Sequence, residues 1–102
     1  MFARVSTFHG SPEHLDESTR QAIEQIVPAA RQLAGFQGVL SLIDRATGKS
    51  ITITLWQDEE TMRASEEAAN RLRTQSAEAA GESVVSVERY EVAFSELSPP
   101  AA

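Results

Sequence analysis

Residues 49–57 read Lys-Ser-Ile-Thr-Ile-Thr-Leu-Trp-Gln, a run whose β-branched and aromatic content makes it a strand. Successive side chains of a strand point to opposite faces, so Ile51, Ile53 and Leu55 share one face while Thr52, Thr54 and Trp56 share the other. A sheet with one wet face alternates cleanly between apolar and polar positions. Here large apolar groups stand on both sides. Residues 36–44 repeat the pattern, with Leu40 and Leu42 opposed to Val39 and Ile43, and residues 83–94 oppose Val84, Tyr90 and Val92 to Val85, Val87 and Ala93. A chain with such strands needs cover on both faces of its sheet, because leaving several hundred Å² of apolar surface in water costs many kcal/mol at ~25 cal/mol per Å².

The remaining segments supply one of those covers. Residues 2–9 read as a first strand closed by Gly10, after which Ser11 suits a helix N-cap, Pro12 the first helical position and Glu13 the positive end of the helix dipole. Leu15, Thr19, Ala22, Ile23, Ile26, Ala30 and Leu33 then recur at three- and four-residue spacing, giving a single apolar stripe. Pro28 predicts a kink or break in that helix, and Gly35 its left-handed exit. The strands 36–44 and 49–57 are joined by a short polar segment with Gly48 near its end, as in an antiparallel hairpin. Asp58 suits the N-cap of a second helix running to about Gly81, with Glu59–Arg63 and Glu67–Arg71 at i,i+4 and an inner face of Met62, Ser65, Ala69, Leu72, Ser76 and Ala79.

The order β-α-β-β-α-β predicts an α+β, ferredoxin-like domain: a four-stranded antiparallel sheet with two helices on one face. The domain spans residues 1–97, and residues 98–102 read as a flexible tail. The other sheet face predicts a homodimer packed sheet to sheet, the symmetric pair being the commonest soluble assembly.

Composition closes several classes of function. The absence of cysteine excludes disulfides, thiolate metal sites and a cysteine nucleophile. A formal charge of −6, with the arginines scattered along the chain, opposes a nucleic-acid partner. The start lacks the apolar core of a signal peptide and no run reaches membrane-spanning length, so the expectation is a cytoplasmic protein with no membrane partner. No catalytic triad, phosphate-cradling glycine loop or dinucleotide fingerprint is present.

The segment Gly35-Phe36-Gln37-Gly38-Val39, followed by the hairpin and by the run from Ile51 through Trp56 and Asp58 to Glu60, resembles the antibiotic-biosynthesis-monooxygenase family of dimeric α+β barrels. The resemblance covers nearly the whole chain by element order. It implies a pocket between the sheet and the helices of each subunit, in which some members oxidise polycyclic phenols with oxygen and no bound cofactor, while others bind and degrade haem. Haem-degrading relatives carry an iron-ligating histidine on the second helix, and none stands on that helix here; Ser6 or Thr7 likewise replaces a first-strand asparagine. No haem site is therefore carried over, and no cofactor is expected.

The resemblance places the family's pocket tryptophan at Trp56, which reads either as a stacking surface for a flat aromatic ligand or as a large core side chain. Ser65 and Ala69, small residues on the second helix, leave room beside the indole. His9, with His14 nearby, offers an imidazole placed to act as a base; two histidines without a third ligand do not make a metal site. Tyr90 offers a phenol either to a substrate oxygen or to the dimer seam. Arg4 and Arg89, on strands that neighbour one another, offer charge to an anionic oxygen or pair with Glu88 and Glu91. The expected catalytic set is His9, Trp56 and Tyr90, with Arg4, Ser65 and Ala69 binding substrate and no metal. The function so implied is a cofactor-independent monooxygenase acting on a small aromatic or polycyclic phenolic substrate. The alternative is a non-catalytic dimeric barrel that binds a small apolar ligand or serves a stress-related or structural role.

Overall fold

A computed structural model describes residues 1–97, and the expected tail, 98–102, lies outside the described residues. Four strands, β1 (Phe2–His9), β2 (Phe36–Asp44), β3 (Lys49–Trp56) and β4 (Ser83–Glu91), form one antiparallel sheet in the order β2-β3-β1-β4. This is the ferredoxin-like arrangement expected from the element order. β4 ends three residues short of the expected strand, because its partner β1 begins at Phe2; Val92 N–H makes one more bond, to the Met1 carbonyl, and there the ladder has no partner left.

The first helical segment is not one helix. A 3₁₀ turn (Pro12–His14) leads into α1 (Leu15–Gln21), a π turn (Ala22–Ile26) and α2 (Val27–Ala30). Pro28 accounts for the irregularity. It has no N–H to give to the Glu24 carbonyl and its ring crowds that position, so the preceding turn widens and Val27 N–H reaches five residues back, to Ala22. Ser11 precedes this segment in extended conformation, with Pro12 in the first turn as expected, but its side chain makes no capping bond.

The second helical segment is also divided, into α3 (Glu59–Ala64) and α4 (Glu66–Ala80). Asp58 and Thr61 form a reciprocal capping box at the start of α3. Gly35 exits the first segment at φ +79, and a Cβ there would collide with the Thr61 side chain, so this position admits only glycine on both counts. The core sits between the central strand β1 and these helices, around Phe8, Leu15, Trp56, Met62 and Ala77.

Register assigns every strand residue to a face. Toward the helices run the rows Ile43–Ser50–Phe8, Ser41–Thr52–Ser6 and Val39–Thr54–Arg4, read across β2, β3 and β1. Away from them run Leu42–Ile51–Thr7, Leu40–Ile53–Val5 and Gly38–Leu55–Ala3. On β4 the expected alternation is broken by a bulge: Thr7 pairs with Ser86 but Phe8 with Val84, leaving Val85 as the extra residue. The grouping of Val84 with Tyr90 on one face is corrected by this slip, which moves Val84 to the helix side.

Candidate functional site

The sheet and the helices do not close completely on one another. Between them lies a cavity of about 290 Å³. Its floor is the inner face of β1, β2 and β3, and its roof comes from α1, the π turn, α2 and α4. The widened turn caused by Pro28 thus becomes part of the wall, contributing Ala22, Ile23 and Ile26. The roof is mainly aliphatic. The floor carries a row of hydroxyls, Ser41, Thr52 and Ser6, flanked by Ser50 and Thr54. The hydroxyls of Ser41, Thr52 and Ser6 make no side-chain hydrogen bond among the described residues, and all three residues line the cavity.

Trp56 forms one end of the floor and is both wall and core, at 1% exposure. Phe36 meets its ring edge-on, with centroids 5.7 Å apart at 78°, and its N–H donates to Thr54 Oγ1 at 3.0 Å. The Arg4 guanidinium lies 5.3 Å from the indole centroid.

Arg4, 2% exposed, has a partner set that the sequence did not suggest. Its Nη2 donates to the Met62 carbonyl at 2.7 Å, Ser65 Oγ at 3.0 Å and Glu66 Oε1 at 3.0 Å. The Met62 carbonyl is one that the break between α3 and α4 leaves open, and it also accepts from Ser65 Oγ at 2.7 Å. The Ser65 hydroxyl is therefore spent at the helix break and is not part of the cavity wall; Ala69, one turn later, is. Arg89 does neighbour Arg4 across β1 and β4, but the shared carboxylate is Glu66, not Glu88 or Glu91. Arg89 reaches it in a two-pronged bond, 2.7 Å on each oxygen, and this bond, followed by that from Arg4, holds the Glu66 carboxyl down at about 2 against an ordinary 4.5.

Arg73, on the cavity face of α4, has a different environment. Its guanidinium donates to Asn70 Oδ1 at 3.3 Å, and no ion pair among the described residues includes it. Burial, and then the like charge of Arg4, lower its pKa from the ordinary value, and it stays a cation at neutral pH. At the far end of the floor Glu82 enters the cavity, accepting from Ser18 Oγ at 2.6 Å and Ser50 Oγ at 3.3 Å.

The expected catalytic set is not brought together. Tyr90 stands opposite Ala3 on the outer sheet face, 51% exposed, and donates to Glu88 Oε2 at 2.8 Å, a bond that raises its phenol above the ordinary value. His9 is exposed at the end of β1, between Lys49 and Ser83, and His14 is exposed in the 3₁₀ turn. Of the six expected residues, Trp56, Arg4 and Ala69 reach the cavity. Arg73, Glu82 and the hydroxyl row were missed. The row was within reach, because β2 and β3 carry Ser41, Ser50, Thr52 and Thr54 on the inner phase where their outer phase carries leucine and isoleucine. Glu82 was not, because a residue just past a helix-ending glycine has no periodic signature.

No family model matches the sequence. An uncharacterised protein of Mycobacterium tuberculosis is 31% identical over 93 residues, which is 91% of this chain and 41% of that protein. The chain thus spans about two fifths of the length of the first curated relatives it matches. Among solved structures, a Deinococcus radiodurans protein provisionally named an antibiotic biosynthesis monooxygenase superposes with TM-score 0.69 at 18% identity, covering 98% of this chain and all of that one. A monooxygenase of Streptomyces coelicolor in complex with Nanaomycin D superposes with TM-score 0.68 at 16% identity, covering 96% and 92%. The chain shares the fold of these proteins. A cofactor-independent oxygenase of Streptomyces nogalater shares this fold at TM-score 0.60 and 17% identity, covering 92% of each chain. This fold is common to proteins with little sequence in common, and the chemistry of this chain is read from its own cavity.

Proposed function

We propose that this domain is a cofactor-independent monooxygenase of a small polycyclic phenol. The observation that carries the reading is the composition of the cavity: a flat indole at one end, an aliphatic roof, a floor of open hydroxyls and an arginine without a carboxylate. At about 290 Å³ the space suits a ligand of a few fused rings, near the lower bound of roughly 300 Å³ for small-molecule pockets. Aliphatic side chains cover one face of the ring system, the hydroxyls meet its oxygen substituents, and Arg73 balances the charge of a phenolate. The names of two Streptomyces proteins of this fold, a cofactor-independent oxygenase and a monooxygenase in complex with Nanaomycin D, support the same chemistry. In the overall reaction an activated ring methylene loses two hydrogens and gains one oxygen atom of O₂ to become a carbonyl, and the second oxygen atom leaves as water.

The functional unit in this reading is a homodimer. Leu40 and Leu42 are 47% and 49% exposed on the outer sheet face, in register with Ile53 and Ile51, and a second copy packed on this face would remove them from water.

Trp56 is the chain's single tryptophan, so its fluorescence reports on this cavity alone. Titration with dithranol, an anthrone bearing phenolic groups, should quench that fluorescence, and oxygen uptake should exceed the rate of dithranol in buffer. Trp56→Phe should weaken binding, followed by calorimetry, about tenfold, which is ~1.4 kcal/mol of lost ring contact. No quenching and no uptake above buffer would end this reading, whereas quenching without uptake would favour a carrier of aromatic ligands over an enzyme.

A further inference from the structure

We infer that Glu82 is the proton acceptor for the bound phenol, an assignment that rests on the reading of the cavity as a phenol site. The sequence offers His9 as the base, but that side chain is exposed at the strand end, outside the cavity. Glu82 reaches the place that His9 does not. Gly81 ends α4 in the left-handed conformation, φ +67, and the Glu82 N–H closes the turn onto the Ala77 carbonyl at 2.8 Å. The side chain then passes over Gly10, where a Cβ would stand 2.7 Å from Glu82 Cγ, so the glycine leaves the space through which the carboxylate enters the cavity.

Two hydroxyls from separate elements hold the carboxylate there, Ser18 of α1 on Oε1 and Ser50 of β3 on Oε2. No ion pair among the described residues includes it, in contrast to Glu66, whose two oxygens are occupied by Arg4 and Arg89. A carboxylate has about four lone-pair sites, and two hydroxyl bonds leave two for a ligand. The base also stands apart from the cationic end of the site. Ser50 pairs with Phe8 and Thr54 with Arg4, so the two ends of the floor are separated by four residues of β1, about 13 Å at ~3.3 Å per residue. A fused-ring phenol lying along the floor thus meets a proton acceptor at one end and a cation at the other. In the step assigned to Glu82, a ligand O–H bond breaks, its electron pair stays on the ligand as a phenolate, and the proton moves to a carboxylate oxygen.

The test compares wild type with Glu82→Gln, Glu82→Asp and Ser50→Ala, using dithranol as the probe. Binding is read from Trp56 quenching, proton removal from the visible absorbance of the dithranol anion in a stopped-flow mixer, and turnover from oxygen uptake. The amide keeps the shape and an acceptor oxygen, so Glu82→Gln should bind dithranol within threefold of wild type and lose roughly a hundredfold or more in anion formation and uptake. Glu82→Asp should recover part of that loss, and Ser50→Ala, which keeps the carboxylate, should lose less than tenfold. A Glu82→Gln protein with a lower Tm but an unchanged rate per folded molecule would overturn the assignment and make Glu82 a structural tie, leaving the phenol site standing. A wild-type protein that neither binds nor oxidises dithranol would remove the phenol site and this assignment together.

Discussion

The two faces of the sheet invert what a single chain should do. The face under the helices, where aliphatic residues would pack best, sets Ser6, Ser41, Ser50, Thr52 and Thr54 among Phe8, Val39, Ile43 and Trp56, while the face without cover carries Leu40, Leu42, Ile51, Ile53 and Leu55. Hydroxyls beneath helices weaken a core, and leucines in water waste burial, so neither face is explained by the stability of one subunit. Each makes sense once something else is bound to it, a ligand with polar edges on the inner face and an apolar protein surface on the outer one. On the reading proposed above, this sheet is a partition between two binding events.

The sharpest way to break the comparison is to make the outer face as polar as the inner one. Leu42→Glu with Ile53→Glu places four carboxylates across a symmetric interface, and like charges brought together there cost several kcal/mol. The dissociation constant should rise about a thousandfold, roughly 4 kcal/mol, and light scattering at micromolar concentration should fall from twice the chain mass to the chain mass. A wild-type protein that is already monomeric at that concentration would refute the assignment of the outer face to a second copy.

How much of this was legible in the sequence follows from the range over which each signal acts. Strand period, the capping residues at Asp58 and the glycine at 35 are local, and they placed three of the four strands to within a residue at each end and gave a four-stranded antiparallel sheet. The π turn was foreshadowed by Pro28, since the missing donor is itself a sequence fact, although its form was not. Arg4 belongs to the other kind. It is a charge on the central strand, and only the tertiary placement of Ser65 and Glu66, some sixty residues later, turns it from an oxyanion ligand into the plug of a broken helix. His9 and Tyr90 lie outside the cavity for a related reason: strand period tells which residues share a face, but not which face the helices will choose.

The inner face itself holds two kinds of polar group, and acid separates them. Arg4 and Arg89 are matched by Glu66, whose carboxyl is held at about 2, below the ordinary 4.5. A carboxyl with a lowered folded-state value contributes stability that is complete above 4.5 and is lost as pH falls through that interval toward 2. The contribution is on the order of 2–3 kcal/mol, and denaturant melts at stepped pH should show it as a slope that Glu66→Gln lacks. If both proteins lose stability in parallel between pH 4.5 and 2, the pairing of Glu66 with the two arginines is not what sustains this end of the fold.

The hydroxyl row is the unmatched kind, and the smallest change sharpens the comparison most. Thr52 stands at the middle of the floor between Ser41 and Ser6, and valine has its shape without its oxygen. If the row were structural, Thr52→Val would remove a satisfied hydrogen bond and cost about 1 kcal/mol. A hydroxyl that waits for a ligand predicts the opposite sign: the apolar replacement should leave stability unchanged or raise it by ~0.5–1 kcal/mol, while dithranol binding weakens about fivefold, another ~1 kcal/mol. Denaturant melts and Trp56 quenching on the same preparation measure both. Stability rising as affinity falls would show that the inner face gives up packing for recognition, and a fall in both would return the row to the core.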